Sequence, residues 1–171
     1  MRFKNDHKGF SLVEMIIVVA IIGIMAGVSL RVIGYLSLAN SEKAAKTLVG
    51  ALGKQQARAM SKAEKSYLYI YMVDSTYYIC TSNVNCTGVD AAVMSKDNGV
   101  PLGTGMTIYY VNPSGVKTKI DSDIFLKISY KRDGSFDSFT GKFQIILIES
   151  AFPTEVMLIQ ETGRYIVRDV S

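Results

Sequence analysis

The sequence predicts an α+β protein in which a long N-terminal helix packs on a C-terminal antiparallel β-sheet domain. Residues 10–66 contain no proline and consist mainly of apolar residues and good helix formers. From residue 67 onward, short runs of β-branched and aromatic residues alternate with turn residues. These changes divide the chain into a leader (1–9), an apolar helix (10–30), an amphipathic stem (31–66) and a β-rich globular domain (67–171).

The apolar helix is long enough to cross a bilayer. A run of about 20 apolar residues spans the hydrocarbon core, and residues 10–30 carry a single charge, that of Glu14. A carboxylate at mid-membrane costs about 2.5–3.5 kcal/mol on insertion scales, so its presence in such a run indicates a specific partner. We therefore predict a transmembrane helix over residues 10–30 in which Glu14 makes a functional contact.

The residues around Glu14 follow a recognisable order. A charged leader ends in Lys8-Gly9-Phe10-Ser11-Leu12-Val13-Glu14, and the apolar helix follows at once. This order resembles the N-terminus of type IV pilins and pseudopilins. The resemblance implies that the prepilin peptidase cleaves after Gly9 and N-methylates Phe10, and that Glu14 pairs with the terminal amine of a neighbouring subunit. It also implies a single-pass protein of the inner (cytoplasmic) membrane, with its C-terminal domain outside the cytoplasm, that becomes part of a filament.

Two other interpretations of this segment stay open. In a plain membrane anchor, Glu14 would reach the membrane interface and have no role in assembly. A secretory signal would be cut after Ser37-Leu38-Ala39, but such signals have an apolar region of about 7–15 residues. The observed run is longer, and Arg31 separates it from that cut. The pilin-like interpretation is therefore favoured.

The stem is amphipathic at the period of an α-helix. Lysine and arginine lie opposite a stripe of mainly apolar residues, which we expect to pack on the sheet. The basic stripe is typical of a solvated helix face, and an anionic partner is its alternative. The apolar stripe comprises Ala45, Leu48, Val49, Leu52, Gln56, Ala59, Met60 and Ala63, and the basic stripe comprises Lys43, Lys46, Lys54, Arg58, Lys62 and Lys65.

The β-rich domain contains seven predicted strands, the last two of which form a closing hairpin. The run at 143–148 is apolar except for Gln144 and is predicted to be a central strand covered on both faces. The strands cover residues 67–73, 77–81, 106–111, 124–130, 143–148, 156–160 and 164–170.

The two cysteines lie close together in the sequence, with a turn-like segment between them. Cys80 comes at the end of a predicted strand, and Cys86 follows after a polar stretch. In an oxidising compartment a disulfide between them is favoured, and the alternative is a pair of free thiols. Because so short a loop gains at most about 2–3 kcal/mol, the bond would shape the loop more than hold the fold.

The composition argues against an enzyme. The single histidine, His7, lies in the leader and would be lost on processing, so the remaining chain has none for a catalytic triad or a zinc site. No glycine-rich phosphate loop is present. We therefore predict no catalytic residues, no metal site and no cofactor. The formal net charge of +4 is small and does not indicate nucleic acid by itself.

Two short C-terminal segments, residues 131–136 and 157–167, resemble GspH/FimT-like minor pseudopilins. In some FimT-like proteins a glycine-arginine segment near the C-terminus contributes to DNA binding, and Gly163, Arg164 and Arg168 occupy that region here. Residues 164 and 168 would share one face of a strand. Asp169 and the small net charge instead favour an exposed hairpin that does not bind DNA.

These features predict a structural minor pilin or pseudopilin that assembles with other pilin subunits through its N-terminal helix after leader cleavage. The filament would be a type IV pilus, a type II secretion pseudopilus or a competence pseudopilus. Two alternatives stay open. One is a DNA-binding competence pilin that uses Arg164 and Arg168, and the other is a membrane-tethered domain that never assembles.

Overall fold

The computed structural model describes residues 11–61 and 65–170, without the side chains of residues 27–38. The chain divides into two compact units, Met1–Leu36 and Ser37–Ser171, and each is described by itself. The predicted leader and Phe10 lie outside the described residues.

One helix, α1, covers Leu12–Ser61. It begins directly after Ser11, whose carbonyl oxygen accepts a hydrogen bond of 3.1 Å from the backbone N–H of Met15. In the first unit, the side chains of residues 12–26 are all exposed. In the part of the chain that the structure describes, no helix is both long and apolar enough to cross a membrane.

The predicted helix does not reach residue 66. The described helix extends to Ser61, and Lys65 and Ser66 lie outside any regular element directly before the first strand. The Ser66 side chain is buried, and its hydroxyl oxygen lies 2.8 Å from Nε2 of Gln55 on the helix. This tertiary hydrogen bond holds Ser66 beside the helix, whereas local propensity alone would extend the helix to residue 66.

Nine strands form two antiparallel sheets in the second unit. The first sheet has the order β3-β2-β1-β6, and the second has the order β5-β4-β7-β8-β9. The strands are β1 (Tyr67–Val73), β2 (Thr76–Ser82), β3 (Val100–Gly103), β4 (Thr107–Val111), β5 (Lys117–Lys119), β6 (Leu126–Ser129), β7 (Phe143–Glu149), β8 (Thr154–Ile159) and β9 (Tyr165–Asp169).

Two hairpins are present, one of which is the predicted closing hairpin. Strands β1 and β2 pair with Val73 opposite Thr76, and the two residues between them, Asp74 and Ser75, have φ values of 45° and 62°. Two successive positive φ values are typical of the tight turns that match the twist of a hairpin. Strands β8 and β9 also pair directly, with Leu158 opposite Tyr165.

The second half of α1 contributes to one continuous core with both sheets. Leu48 and Leu52 are almost fully buried together with Ile70 of the first sheet and Ile146 of the second. The predicted apolar stripe is therefore correct in its middle. It is wrong at Met60, whose side chain is 59% exposed, and its last member, Ala63, lies outside the described residues.

Strand β7 lies in the middle of the second sheet, as the sequence predicts. The prediction that both its faces are covered is wrong within the described residues. Gln144, Ile146 and Ile148 are buried, whereas the alternate residues are exposed or only partly buried. One face of β7 therefore packs on the core, and the other lies on the outer side of the sheet.

Candidate functional site

Glu14 lies in the first turn of α1 and is exposed. A negative charge at this position is favourable because the helix N-terminus carries a partial positive charge. The two other predicted site residues of this region, Gly9 and Phe10, lie outside the described residues. Phe10 stands four positions before Glu14 in the sequence.

The residues that follow Glu14 form an exposed apolar surface on the first unit. Their side chains keep between 45% and 69% of their area accessible. A contiguous apolar surface of this kind marks an interaction site in proteins. It comprises Met15, Ile16, Ile17, Val18, Val19, Ile21, Ile22, Ile24 and Met25.

Comparison with known proteins gives two matches. Residues 4–30 match the family model of the prokaryotic N-terminal methylation motif. The fold matches the crystal structure of the type IV minor pilin FimU of Pseudomonas aeruginosa strain PAO1 with a TM-score of 0.50 and 15% sequence identity, covering 78% of this chain and 92% of that chain. Comparison with curated protein sequences gives no match.

Together they support a type IV pilin or pseudopilin. The motif contains Gly9, Phe10 and Glu14, and the α+β fold agrees with that of a minor pilin. Pilins are structural subunits and not enzymes, which confirms the sequence prediction on this point. Among the described residues, no three His, Cys, Asp or Glu side chains come together in a way that would hold a metal ion.

The second unit, Ser37–Ser171, has the fold of a minor pilin and is called the pilin head below. The basic stripe of the stem lies on the exposed side of α1. Lys43, Lys46, Lys54 and Arg58 are exposed as predicted. The Nζ of Lys46 lies 2.6 Å from Oε1 of Glu42, one turn earlier on the helix. Because exposed ion pairs of this kind contribute little to stability, this pair mainly reduces the positive charge of the stripe.

Arg164 and Arg168 are both exposed, and they lie near the C-terminal end of the described chain. Arg164 directly follows Gly163 and precedes β9, whereas Arg168 lies within the strand. The register of the sheet puts Glu155 of β8 directly opposite Arg168. A carboxylate at this position lowers the local positive potential that a phosphate backbone would need.

The two cysteines lie in a buried cluster of the pilin head. Both carry free thiols in the structure, and the Cys80–Cys86 disulfide stays a prediction. They are buried in one small cluster with Tyr69. Burial raises the pKa of the Cys80 thiol and raises the pKa of Tyr69 to about 12, so both groups are protonated at neutral pH.

Tyr69 fixes the loop that carries Cys86. Its hydroxyl donates a hydrogen bond of 2.6 Å to the carbonyl oxygen of Val84 and accepts one of 2.9 Å from the backbone N–H of Cys86. Lys127 adds bonds to Asn85 Oδ1, at 2.9 Å, and to the Cys86 carbonyl oxygen, at 3.2 Å. The sequence does not predict these contacts, because Tyr69 and Lys127 are far from the loop in the chain.

A junction between α1 and two turns of the pilin head has no signal in the sequence. Gln56 of the helix donates a hydrogen bond of 2.9 Å to the carbonyl oxygen of Gly134. Gly163 packs against the same carbonyl group with a positive φ of 65°. The two glycines are recognisable in the sequence as turn residues, but nothing local predicts that the turns meet.

Proposed function

We propose that this protein is a minor pilin or pseudopilin, cleaved after Gly9 and N-methylated on Phe10, that enters a filament through helix residues 10–30. The observation that carries the proposal is the methylation motif at residues 4–30 on a chain with the fold of a minor pilin. The exposed apolar side chains after Glu14 supply the surface for helix packing. The filament belongs to a type IV pilus, a type II secretion system or a competence system.

We extend the proposal to the membrane and to the branch of the family. The apolar run at residues 10–30 supports a single-pass anchor in the inner membrane before assembly. The head would then lie outside the cytoplasm, where neighbouring subunits meet. The two C-terminal segments, 131–136 and 157–167, support a GspH/FimT-like subunit.

Processing is tested at the N-terminus of the mature protein. We expect the chain isolated from membranes or filaments to begin with N-methylphenylalanine at position 10, because the peptidase cuts after Gly9 and methylates the amine that the cut creates. Mass spectrometry of the N-terminal peptide measures both events. A Gly9→Leu variant should keep the leader, and an N-terminus at Met1 or Asn40 in the wild-type protein would contradict the proposal.

Outside the cytoplasm, we expect Cys80 and Cys86 to form one disulfide, because they share a buried cluster and are separated by a short loop. We expect thiol labelling of the denatured protein to modify no cysteine without reductant and two cysteines after reduction. The mass of the labelled protein gives the number of modified cysteines. Since the closed loop is short, reduction should lower stability by at most about 2–3 kcal/mol. Full labelling without reductant would show that the thiols stay free.

DNA binding through Arg164 and Arg168 stays a prediction from the sequence. Glu155 faces Arg168 across the sheet, and Asp169 follows it in the strand. No observation in the described head favours DNA over protein as the partner of this surface, so DNA is not part of the proposal.

A further inference from the structure

The second sheet has an apolar outer face. In its register Val111, Ile145, Met157 and Ile166 lie side by side across β4, β7, β8 and β9. Directly opposed residues of neighbouring strands point to the same side of a sheet, so these four side chains form one continuous row. With their apolar neighbours on the same side they make up the outer apolar face, namely Val111, Phe143, Ile145, Leu147, Met157, Ile159 and Ile166.

These side chains are accessible, whereas those of the opposite side are not. Phe143 is 43% exposed and Ile166 is 39% exposed, and the other five are partly exposed. On the inner side, Ile146 and Leu158 are fully buried against the helix and the first sheet. The described members of the two core clusters include none of the outer apolar face. A sheet face in contact with water is ordinarily polar.

The outer face of the first sheet is also apolar, but a segment of the chain covers it. There, Tyr69 and Tyr71 are buried under the segment between β2 and β3, which places Val93 and Met94 on them. The Tyr71 hydroxyl donates a hydrogen bond of 2.7 Å to the carbonyl oxygen of Ser95 in the same segment. For the second sheet, the described part of the chain provides no such cover.

The charges beside the outer apolar face indicate the chemistry of its partner. Lys117 Nζ lies 3.1 Å from Oε1 of Glu149 and 4.0 Å from the ring centroid of Tyr109. On the other side Arg168 lies opposite Glu155. Acidic and basic groups therefore alternate around an apolar centre. Such a surface suits the apolar surface of another protein and not a polyanion.

The size of the outer apolar face limits the strength of the contact that it can make with a partner protein. Strand spacing and rise give it dimensions of roughly 14 Å by 14 Å, whereas a standard interface buries about 800 Å² on each partner. A contact this small would be weak between free molecules. It becomes effective when another interaction already holds the partner nearby and raises its effective concentration. Subunits joined through their N-terminal helices meet that condition.

We propose that the outer apolar face is the docking surface for the head of a neighbouring pilin subunit in the same filament. The inference rests on the proposed function, because the helix-mediated assembly supplies the effective concentration. It adds a second contact to the helix contact. Met157 and Ile166 lie side by side on adjacent strands of this face, and Ile166 is on β9, the open edge of the sheet.

Photo-crosslinking of the full chain in filament-producing cells tests the partner. We expect p-benzoylphenylalanine at Met157 or Ile166 to crosslink to another pilin subunit, identified by mass spectrometry. The matched control is the same amino acid at Val84, which is 53% exposed in the loop beside the first sheet and should give no such product. Crosslinks to DNA or lipid, or none at either position in assembled filaments, would overturn the inference.

Charge substitution tests the contribution to assembly. We expect Met157→Lys with Ile166→Lys to lower the filament-associated fraction about tenfold, because lysine cannot be buried in an apolar contact. Val84→Lys is the control and should assemble normally. The melting temperature of the full chain should be similar for all three proteins, since these positions are outside the core. Normal assembly of the double variant overturns the inference, whereas absence of the wild-type protein from every filament would instead overturn the proposed function.

Discussion

Replacing Gly163 by alanine is expected to lower the stability of the head by about 2–4 kcal/mol. Gly163 has a φ of 65°, which costs a residue with a side chain about 1–3 kcal/mol. A Cβ at this position would also overlap the carbonyl oxygen of Gly134 and lie 2.7 Å from Nε2 of Gln56. Relief of that overlap breaks the hydrogen bond between Gln56 and Gly134, which contributes about 1 kcal/mol.

Substitutions at two other glycines separate the backbone cost from the steric overlap as causes of this loss of stability. Gly115 has a φ of 84° but open space around it, so Gly115→Ala measures the backbone cost without the overlap. Gly88 has open space and no unusual φ, so Gly88→Ala should change stability by less than about 0.5 kcal/mol. Thermal unfolding followed by circular dichroism should show a decrease of about 10 °C for Gly163→Ala. An effect no larger than that of Gly115→Ala would contradict the proposed contact with Gly134.

The junction around Gly163 shows how far the sequence predicts this fold. The turns at residues 133–134 and 161–163 follow from their glycines, and the hairpins follow from the alternation of turn residues with β-branched and aromatic runs. These are local signals, since each depends on a few adjacent residues. The contact between the two turns depends on residues about 30 positions apart and has no local signal.

Strands β3 and β5 also lack a local signal, so the sequence does not predict them. Strand β3 contains Pro101 and Gly103, both of which are unfavourable in strands. It forms because it pairs with β2 at the edge of the first sheet, where a proline is tolerated. Strand β5 has only three residues, Lys117–Lys119, and pairs with β4. Tertiary pairing, and not local propensity, decides both elements.

Only part of the candidate site could be predicted from local sequence. Its N-terminal part, with Gly9, Phe10 and Glu14, was predicted from the order of residues, and the methylation motif found at residues 4–30 includes all three positions. The outer apolar face could be anticipated only in part. The almost continuous apolar run at residues 143–148 predicts two covered faces for β7, but only the cross-strand register identifies Val111, Met157 and Ile166 as its neighbours.

Glu14→Leu is expected to reduce filament incorporation by more than a hundredfold while the protein stays in the membrane fraction. In the proposed assembly, the carboxylate of Glu14 compensates the positive amine that cleavage creates on a neighbouring subunit. Removal of one partner from a buried ion pair leaves the other charge unpaired, at a cost of about 3–5 kcal/mol. Since 1.4 kcal/mol corresponds to a factor of ten, this cost accounts for the expected loss.

A series of substitutions at Glu14 separates the effect of its charge from the effect of its side-chain packing. Glu14→Gln keeps the size of the side chain without its charge, and its incorporation into filaments should be as low as that of Glu14→Leu. Glu14→Asp keeps the charge and should retain part of the incorporation. Val18→Leu is a control one turn further along α1, at a position that is 45% exposed, and should assemble normally. The assay compares the protein in sheared filaments with that in membranes. Wild-type incorporation of Glu14→Leu would show that the carboxylate is not an assembly contact, because the apolar helix would then suffice.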